Sequence, residues 1–593
     1  MSDATVCLII LVAVVALFVW NRLPVEIVAV GSALALWAAG VLPFAQVFAG
    51  FGDPVIPFVA GLFVVSEGLN ASGVTAWLGR QLVLRAGESR RRLLAATMLL
   101  AAALAALISV NGATAALLPM VVLLAVRLGR SPAGLAMPVA FAGHAGSLLL
   151  LTATPINLLV SEGAVTAGGR AFGFAEYALV GVPLVVGTIA LTTGLGDRLL
   201  PARTPRSLPP DLGGHARTLI RHYDLTAQAA GLRVGPHSDV STLDEPGLVV
   251  FGAVTADRRP RGDAPPQPGD VLVVRGPEGV VHAYADRRGL AHVPRDVSDK
   301  LATILLNNEL GVAEVVLGPR SALVGDTVSP GMTTDSGELV VLAVHRNGDQ
   351  LGPGAVALVP GDMLLVQGSW LALDRVTGDR DVLLVDEPSA VRRQALPLGP
   401  GARPALVILA AMIVLLATGL FPPAAVAVLA AGAMIVSRVL TMGQAYEGIS
   451  WTTIMIVAGL IPLSVAMRQS GLADDLAHLV VRLFGASGIL LLLGMFLLTA
   501  IFGQVISNTA TALIVIPIGA AAATEAAISV QPVMMCIAVA AAGAFLTPIA
   551  TAANLMVKDP GGYRFGDYWK LGLVLLSWFL LIGVIVVPFI WPL

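Results

Sequence analysis

Charge is scarce in this chain. Only 12% of its 593 residues are Asp, Glu, Lys or Arg while 56% are hydrophobic, whereas ordinary globular domains run about one-quarter charged. That balance excludes a soluble enzyme and leaves a polytopic membrane protein, with the lipid bilayer as its solvent. Cysteine is nearly absent. Cys7 and Cys536 lie inside apolar runs, where neither a disulfide framework nor a metal site has support. The net charge of −2 carries little information, because lipid-embedded chains segregate their charges into loops. Nucleic acid is not expected as a partner. Signatures of catalysis are missing as well: there is no H-E-x-x-H, G-x-S-x-G or Walker-type G-x-x-x-x-G-K-[ST], and no G-x-G-x-x-G after a central strand. Neither an enzyme nor an ATP-driven pump is expected on this chain.

Long apolar runs are what the chain does have. They fall at about 5–20, 24–42, 54–70, 94–126, 134–160 and 177–196, and again at about 404–420, 422–440, 453–469, 487–520, 533–557 and 570–590, most of them long enough to span a bilayer. Run 5–20 is read as a first transmembrane helix and not a removed leader, since no basic region precedes it and no small-residue cleavage signal follows. The two series match. Pro24 and Pro422, Gln46 and Gln444, Gly50 and Gly448, Gly61 and Gly459, Gly73 and Gly471, Gly87 and Gly485, Ser109 and Ser507, and Pro119 and Pro517 each differ by 398, and Asn157 and Asn554 by 397. So ordered a set of matches reads as an internal duplication.

The fourth run of each half is about 33 residues, too long for one crossing, and polar residues and glycine interrupt it. It is read as a re-entrant helical hairpin, with Ser109 to Thr114 or Ser507 to Thr511 near the tip. Each half then crosses five times, and an odd number inverts the second half against the first. The basic residues agree: with the N-terminus outside, cytoplasmic loops hold Arg22, Arg80, Arg85, Arg90, Arg91, Arg92, Arg127, Arg130, Arg438, Lys558, Arg564 and Lys570, against Arg170, Arg468 and Arg482 outside. The expected architecture is thus a polytopic α-helical membrane protein with two inverted repeats of five spans plus a hairpin, residues 1–199 and 398–593.

Residues 200–397 are placed in the cytoplasm. They are rich in Pro, Gly, Asp and Arg, with short Val and Leu runs between turn signals, the pattern of an inserted α+β region. Gly269 to Gly276 (GDVLVVRG) matches Gly361 to Gly368 (GDMLLVQG) at an offset of 92. Two similar domains, 200–300 and 301–397, are expected, with Pro-rich linkers at 201–210 and 396–404.

The fifth run of the first half is interrupted by Thr152, Thr154, Pro155 and Asn157, and its counterpart by Thr547, Pro548, Thr551 and Asn554. Proline breaks a helix and frees carbonyls that can coordinate a cation, while hydroxyl and amide groups add hard oxygen ligands. The helix N-termini so created favour an anion. A single Thr often bonds back to its own helix; a matched set in both halves points to a transport site. His144 is read as a packing residue outside the site, Glu67 and Glu162 as exposed carboxylates near helix ends, and Gln504 as a residue lining the second tip.

The repeated hairpin Ser507-Asn508-Thr509 and the Thr-Pro and Asn of the broken helix resemble the divalent anion:sodium symporters of the solute-carrier 13 type. TPIATAANLMVKDPGGYRFGDYWKLG is similar to a branch with regulatory domains between its halves, many of them described as sulfate permeases. AEVVLGPRSALVGDTV, residues 313–328, resembles the start of a TrkA C-terminal (RCK-C) domain, with residues 217–290 as a diverged first copy. The resemblance implies a homodimer in the cell's inner (plasma) membrane that alternates access by an elevator movement, with sodium ions as cotransported cargo. It implies a first sodium site from Ser109, Asn111, Thr152, Thr154 and Asn157, and a second from Ser507, Asn508, Thr509, Thr547, Thr551 and Asn554. The anionic substrate, sulfate or a C4-dicarboxylate, would lie between the tips, against Ser109, Asn111, Asn157, Ser507, Asn508, Thr509 and Asn554. The first copy departs from the pattern, since Val110 stands where an amide is expected. The domain type also implies a regulatory nucleotide, with cyclic di-adenylate as the guess. Competing readings are arsenite or proton-coupled metabolite efflux on a related scaffold, and a ligand-gated channel, although no T-V-G-Y-G-like filter run is present.

Overall fold

Residues 1–209 and 400–593 of the computed structural model form one unit and residues 210–399 a second. The structure describes all residues except 1, 21, 76, 79–80, 82–88, 128–129, 202, 204–214, 227–228, 241–247, 256–264, 294–297, 308–309, 335–337, 353, 377–381, 386–390, 392–400 and 486. Arg80, Arg85, Gly87 and most of the two Pro-rich stretches therefore lie outside the described residues.

In chain order, the first part of the helical unit holds α1 (Asp3–Trp20), α2 (Val25–Ala38), α3 (Val55–Ala71), α4 (Arg90–Leu107), α5 (Val110–Arg127), α6 (Ala136–Gly146), α7 (Pro155–Thr166) and α8 (Ala178–Leu199). Run 94–126 is a pair of 18-residue helices, α4 and α5, that pack on each other. Run 134–160 breaks after Gly146 and resumes at Pro155, a residue suited to the first helical position because it has no N–H to leave unpaired.

The inserted unit holds two sheets. The first takes β1 (Ala229–Arg233), β2 (Val249–Val254), β3 (Val271–Arg275) and β4 (Ala291–Val293) in the order β2-β3-β1-β4. Helix α9 (His215–His222) precedes it, α10 (Glu278–Arg288) joins β3 to β4, and α11 (Ser298–Leu305) follows. The second is built from β5 (Leu310–Leu317), β7 (Leu339–Arg346), β8 (Asp349–Gln350), β10 (Met363–Ser369) and β11 (Val382–Leu384) in the order β11-β5-β10-β7-β8. Here α12 (Trp370–Val376) joins β10 to β11, and β6 (Thr327–Val328) pairs with β9 (Val356–Ala357).

The sheets share a plan: β7-β10-β5-β11 repeats β2-β3-β1-β4. Even the irregularity recurs, since the register slips at Phe251 opposite Val273/Val274 and at Leu342 opposite Leu365/Val366. The GD pair explains part of the likeness. Gly269 and Gly361 have φ of +98° and +88°, where glycine is unstrained. Asp270 accepts from the Gln267 N–H at 2.8 Å and Asp362 from the Val359 N–H at 2.9 Å. In the second copy a guanidinium joins the turn: Arg346 donates twice to Asp362, at 2.8 Å each, and holds that buried carboxyl below its ordinary range.

The second part of the helical unit holds α13 (Ala402–Thr418), α14 (Pro423–Val436), α15 (Trp451–Gln469), α16 (Leu472–Phe484), α17 (Gly488–Gly503), α18 (Asn508–Glu525), α19 (Val530–Ala542), α20 (Ala552–Lys558) and α21 (Tyr568–Leu581), the last continuing through a π-helical turn to Ile590. Among the described residues, four helices are long and apolar enough to cross a membrane alone: α1, α8, α15 and Phe565–Ile590. The amphipathic α16, with Asp474 and Asp475 in its first turn and a buried face of Leu472, Ala473, Ala477 and Val480, lies outside every apolar run.

Contacts between the two parts come in exchanged pairs. Helix α3 packs on α14, and α15 packs on α2. At the first crossing a Cβ on Gly61 would lie 2.7 Å from the Ala427 backbone, and at the second a Cβ on Gly459 would lie 2.8 Å from that of Ala29. Gly61→Ala and Gly459→Ala are each expected to force the helices apart and to yield aggregated protein on size-exclusion chromatography. By contrast, Gly432→Ala on α14, where a Cβ meets nothing within 4 Å, should leave a monodisperse protein stabilised by about 0.5–1 kcal/mol. In the inserted unit, Asp362→Ala should speed hydrogen exchange in β7 and β10 about tenfold in the intact chain. A carboxylate held below its ordinary range stabilises above about pH 4 and loses that contribution on acidification, so the difference from wild type should shrink at low pH.

Candidate functional site

Each break in a helix leaves carbonyls without intrahelical partners, and in apolar surroundings these need donors. One amide supplies them at each break. Asn157 Nδ2 donates to the carbonyls of Ser147 and Leu150, both at 2.8 Å, and Asn554 Nδ2 to those of Ala544 at 2.7 Å and Thr547 at 3.1 Å. Behind each Asn stands a tyrosine. Tyr177 Oη donates to the Asn157 carbonyl at 2.6 Å and Tyr568 Oη to the Asn554 carbonyl at 2.7 Å. Both asparagines and both tyrosines are fully buried.

The tips of the two helix pairs follow the same rule. Ser109 Oγ accepts from the Gly112 N–H at 3.0 Å, and Ser507 Oγ from the Ala510 N–H at 3.3 Å, the arrangement that starts a helix by satisfying one of its orphan donors. The other N–H groups of that first turn remain a weak anion attractor. Each break lies against the tip-proximal arm of its own half: α4 packs on the 3-10 turn Leu151–Ala153, and the 543–547 stretch is bonded to Gln504. The helices beyond the breaks cross over. Helix α7 packs on α18 and α19, whereas α20 packs on α5 and α6.

Among the described residues of the helical unit, buried side-chain oxygens without a hydrogen-bond partner include Gln46 Oε1, Asn70 Oδ1, Thr188 Oγ1 and Thr192 Oγ1, and four more belong to the breaks and tips. Asn157 Oδ1 and Thr114 Oγ1 in the first part, and Asn508 Oδ1 and Thr511 Oγ1 in the second, lack a hydrogen-bond partner. Such atoms are uncommon in folded proteins, and each calls for a reason. Neutral amide and hydroxyl oxygens are hard ligands suited to an alkali cation. Thr511 and Thr114 are additions to the residues expected from sequence.

Of the expected residues, Asn157, Asn554, Thr547 and Thr551 are bonded at the breaks, Thr551 Oγ1 capping α20 by accepting from the Asn554 N–H at 3.2 Å. Thr152 is buried in the 3-10 turn, and Thr154 starts α7 without a side-chain cap. Ser109 is half-buried, Ser507 is exposed at its tip, and Asn508 and Thr509 are half-buried beside it. Asn111 is exposed on the first turn of α5 and is not drawn into the network. Val110 instead packs toward α6, where a Cβ on Gly143 would meet its Cγ1 at 3.3 Å.

Two residues outside the expected ligand sets tie the second break. Gln504 straps the second break to its hairpin: Nε2 donates to the Gly543 carbonyl and Oε1 accepts from the Leu546 N–H, at 3.1 and 2.9 Å, while the Gln504 carbonyl accepts from Thr547 Oγ1 at 3.0 Å. His144 was expected to be packing only. Its Nε2 lies 3.1 Å from Thr551 Oγ1 and 3.3 Å from Asn554 Oδ1. Glu67 and Glu162 do stand near helix ends but are partly buried instead of exposed. A cavity of about 180 Å³ beside Arg468, Asp474, Pro517 and Thr524 lies along the distal half of α18, about 15–25 Å from the tip by the rise of the helix, and does not belong to this site.

Comparison with known proteins gives the following. The citrate transporter family model matches residues 15–480 and 413–593. The chain is 31% identical over 618 residues to the uncharacterized transporter YfbS of Escherichia coli (strain K12), covering 98% of both. It is 26% identical over 338 residues to sodium/sulfate cotransporter 1 of Chlamydomonas reinhardtii, covering 54% of this chain and 36% of that one. A shorter stretch of 137 residues is 29% identical to solute carrier family 13 member 2 of Mus musculus, 23% of each chain.

Gln504→Ala gives the second break the side chain that the first carries at Ala106. It leaves the Leu546 N–H without its acceptor and the Gly543 carbonyl with the Phe545 N–H alone, and should cost about 2 kcal/mol, read as a lower thermal midpoint in detergent. Thr547→Val, which removes one bond, should cost less.

Proposed function

The chain belongs to the citrate transporter family, within the divalent anion:sodium symporters, and from that premise we propose that this multi-pass membrane transporter carries a small divalent anion, sulfate or a C4-dicarboxylate, inward with sodium. What carries the reading is the set of four buried, unpartnered oxygens, two in each half, beside the Asn-braced breaks and the Ser-capped tips. The name of the Chlamydomonas relative, a sodium/sulfate cotransporter, favours sulfate.

In this reading one cation is held by Ser109, Asn111 and the Thr152 to Asn157 break, with Thr114 added. A second is held by Ser507, Asn508, Thr509 and the Thr547 to Asn554 break, with Thr511 added. The anion bridges the two tips, where N–H groups and bound cations offset its charge. Inverted repeats are supported by the paired Asn-Tyr braces and by the exchanged Gly61–Ala427 and Gly459–Ala29 crossings. The elevator movement, the homodimer and the plasma membrane follow from the family resemblance. Two RCK-C-like domains in residues 200–300 and 301–397, cytoplasmic and regulated by a small ligand such as a nucleotide, are supported by the common strand order and bulge position of the two sheets.

Purified protein in liposomes should accumulate labelled sulfate or succinate under an inward sodium gradient and not under a proton gradient alone. The double variant Ser507→Ala, Asn508→Ala should abolish that uptake while remaining folded. Full uptake by the double variant, or accumulation driven by protons without sodium, removes the reading.

A further inference from the structure

The two breaks share the same brace but not the same environment. At each, the amide's orientation is fixed because Nδ2 faces two carbonyls, so Oδ1 faces away from them. At the first break that oxygen, on a fully buried Asn157, has no partner, and Thr154 makes no side-chain cap bond. At the second, Asn554 Oδ1 lies 3.3 Å from His144 Nε2 and Thr551 Oγ1 lies 3.1 Å from it. An amide oxygen carries no hydrogen, so the proton of the pair sits on Nε2 and the imidazole is the donor. His144 is 3% exposed, comes from α6 in the first half, and rests edge-on against Phe545 at 5.8 Å between ring centroids. The matching position in the second half, at an offset of 397, is Ala541, which has nothing to donate.

We propose that His144 is a positioning residue that closes the second break from within, its Nε2–H standing at Asn554 Oδ1 where the first break holds Asn157 Oδ1 open for the transported cation. The two breaks then do different work. The first is an ion-responsive joint that acquires its last partner only when sodium arrives. The second is a permanent joint across the halves, which narrows the second cation set given above: the Thr551 and Asn554 side-chain oxygens are taken by His144, and those left to an ion are the hairpin's, Asn508 Oδ1 and Thr511 Oγ1. This inference rests on the sodium-coupled reading above.

Sodium dependence of labelled sulfate or succinate uptake, and of thermal unfolding in sodium against potassium chloride at constant ionic strength, tests it in the full chain. Asn157→Ala and Asn554→Ala lose the same brace and differ only in what Oδ1 does. The sodium half-saturation should rise about tenfold or more in Asn157→Ala and stay near wild type in Asn554→Ala, whose maximal rate falls instead. Equal shifts in the two variants overturn the proposal and leave the reading intact. Should both fail to fold, His144 decides. His144→Leu removes the donor at similar bulk and should lower the maximal rate about tenfold at unchanged sodium half-saturation, and His144→Gln, which brings an N–H back, should recover most of it. Wild-type behaviour of His144→Leu, or no recovery in His144→Gln, refutes the positioning role. Indifference of the wild type to sodium in both assays instead refutes the sodium-coupled reading itself.

Discussion

A carboxamide facing two backbone carbonyls inside an apolar unit is the interaction on which this molecule turns. A helix cannot simply stop among lipid-like side chains, because the carbonyls it exposes lose water and gain nothing. Asn157 and Asn554 remove that cost by reaching back ten and seven residues to Ser147 and Leu150, and to Ala544 and Thr547. Tyr177 and Tyr568 then occupy the asparagines' own carbonyls. With those carbonyls satisfied, what remains unpartnered at the first break is the side-chain oxygen of Asn157. The brace thus commits the amide nitrogen to the backbone and leaves the oxygen to a further partner, which at the second break is His144 Nε2 at 3.3 Å.

Much of this was legible because the two halves can be compared with each other. The offset of 398 located the tips, the inner prolines Pro119 and Pro517 and the close-packed glycines before any coordinates. Runs of about 33 residues resolved into helix pairs because Ser109 and Ser507 start new helices there. The same procedure was blind to whatever the halves do not share. His144 matches Ala541 across the offset and Gln504 matches Ala106, so His144 was set aside as packing and Gln504 was placed at the tip from its position alone, although both proved to be principal ties at the second break. Thr114 and Thr511 were hidden differently: they stand one position out of register, and a hydroxyl on an apolar helix gives no sign in sequence of whether it bonds back to its own backbone. Helix α16 was missed because its charged face dilutes an apolar run.

In the inserted unit the legible signal was a single eight-residue match, GDVLVVRG against GDMLLVQG. The shared Gly and Asp reflect a tight turn in which a left-handed glycine precedes an aspartate that accepts from the N–H three residues back. Strand order and the matching bulges could not be read from it, since β1 and β5 pair with residues 38 to 69 positions away and the intervening segments have diverged. Arg346 fastens Asp362 with two bonds, so in the second copy an ion pair is built on the turn that both copies share.

The exchanged crossings carry a consequence for how the chain is made. Gly61 finds its partner only at Ala427, and synthesis at 5–20 residues per second puts roughly 20–70 s between the two. For that interval the Gly61 face of α3 stands without α14. Lipid exposes no hydrophobic penalty on such a face, and close packing of small residues supplies the attraction once the partner arrives. A nascent first half can therefore wait in the bilayer while the inserted unit is synthesised, and biogenesis is completed by a late helix docking into a place kept vacant by a missing Cβ.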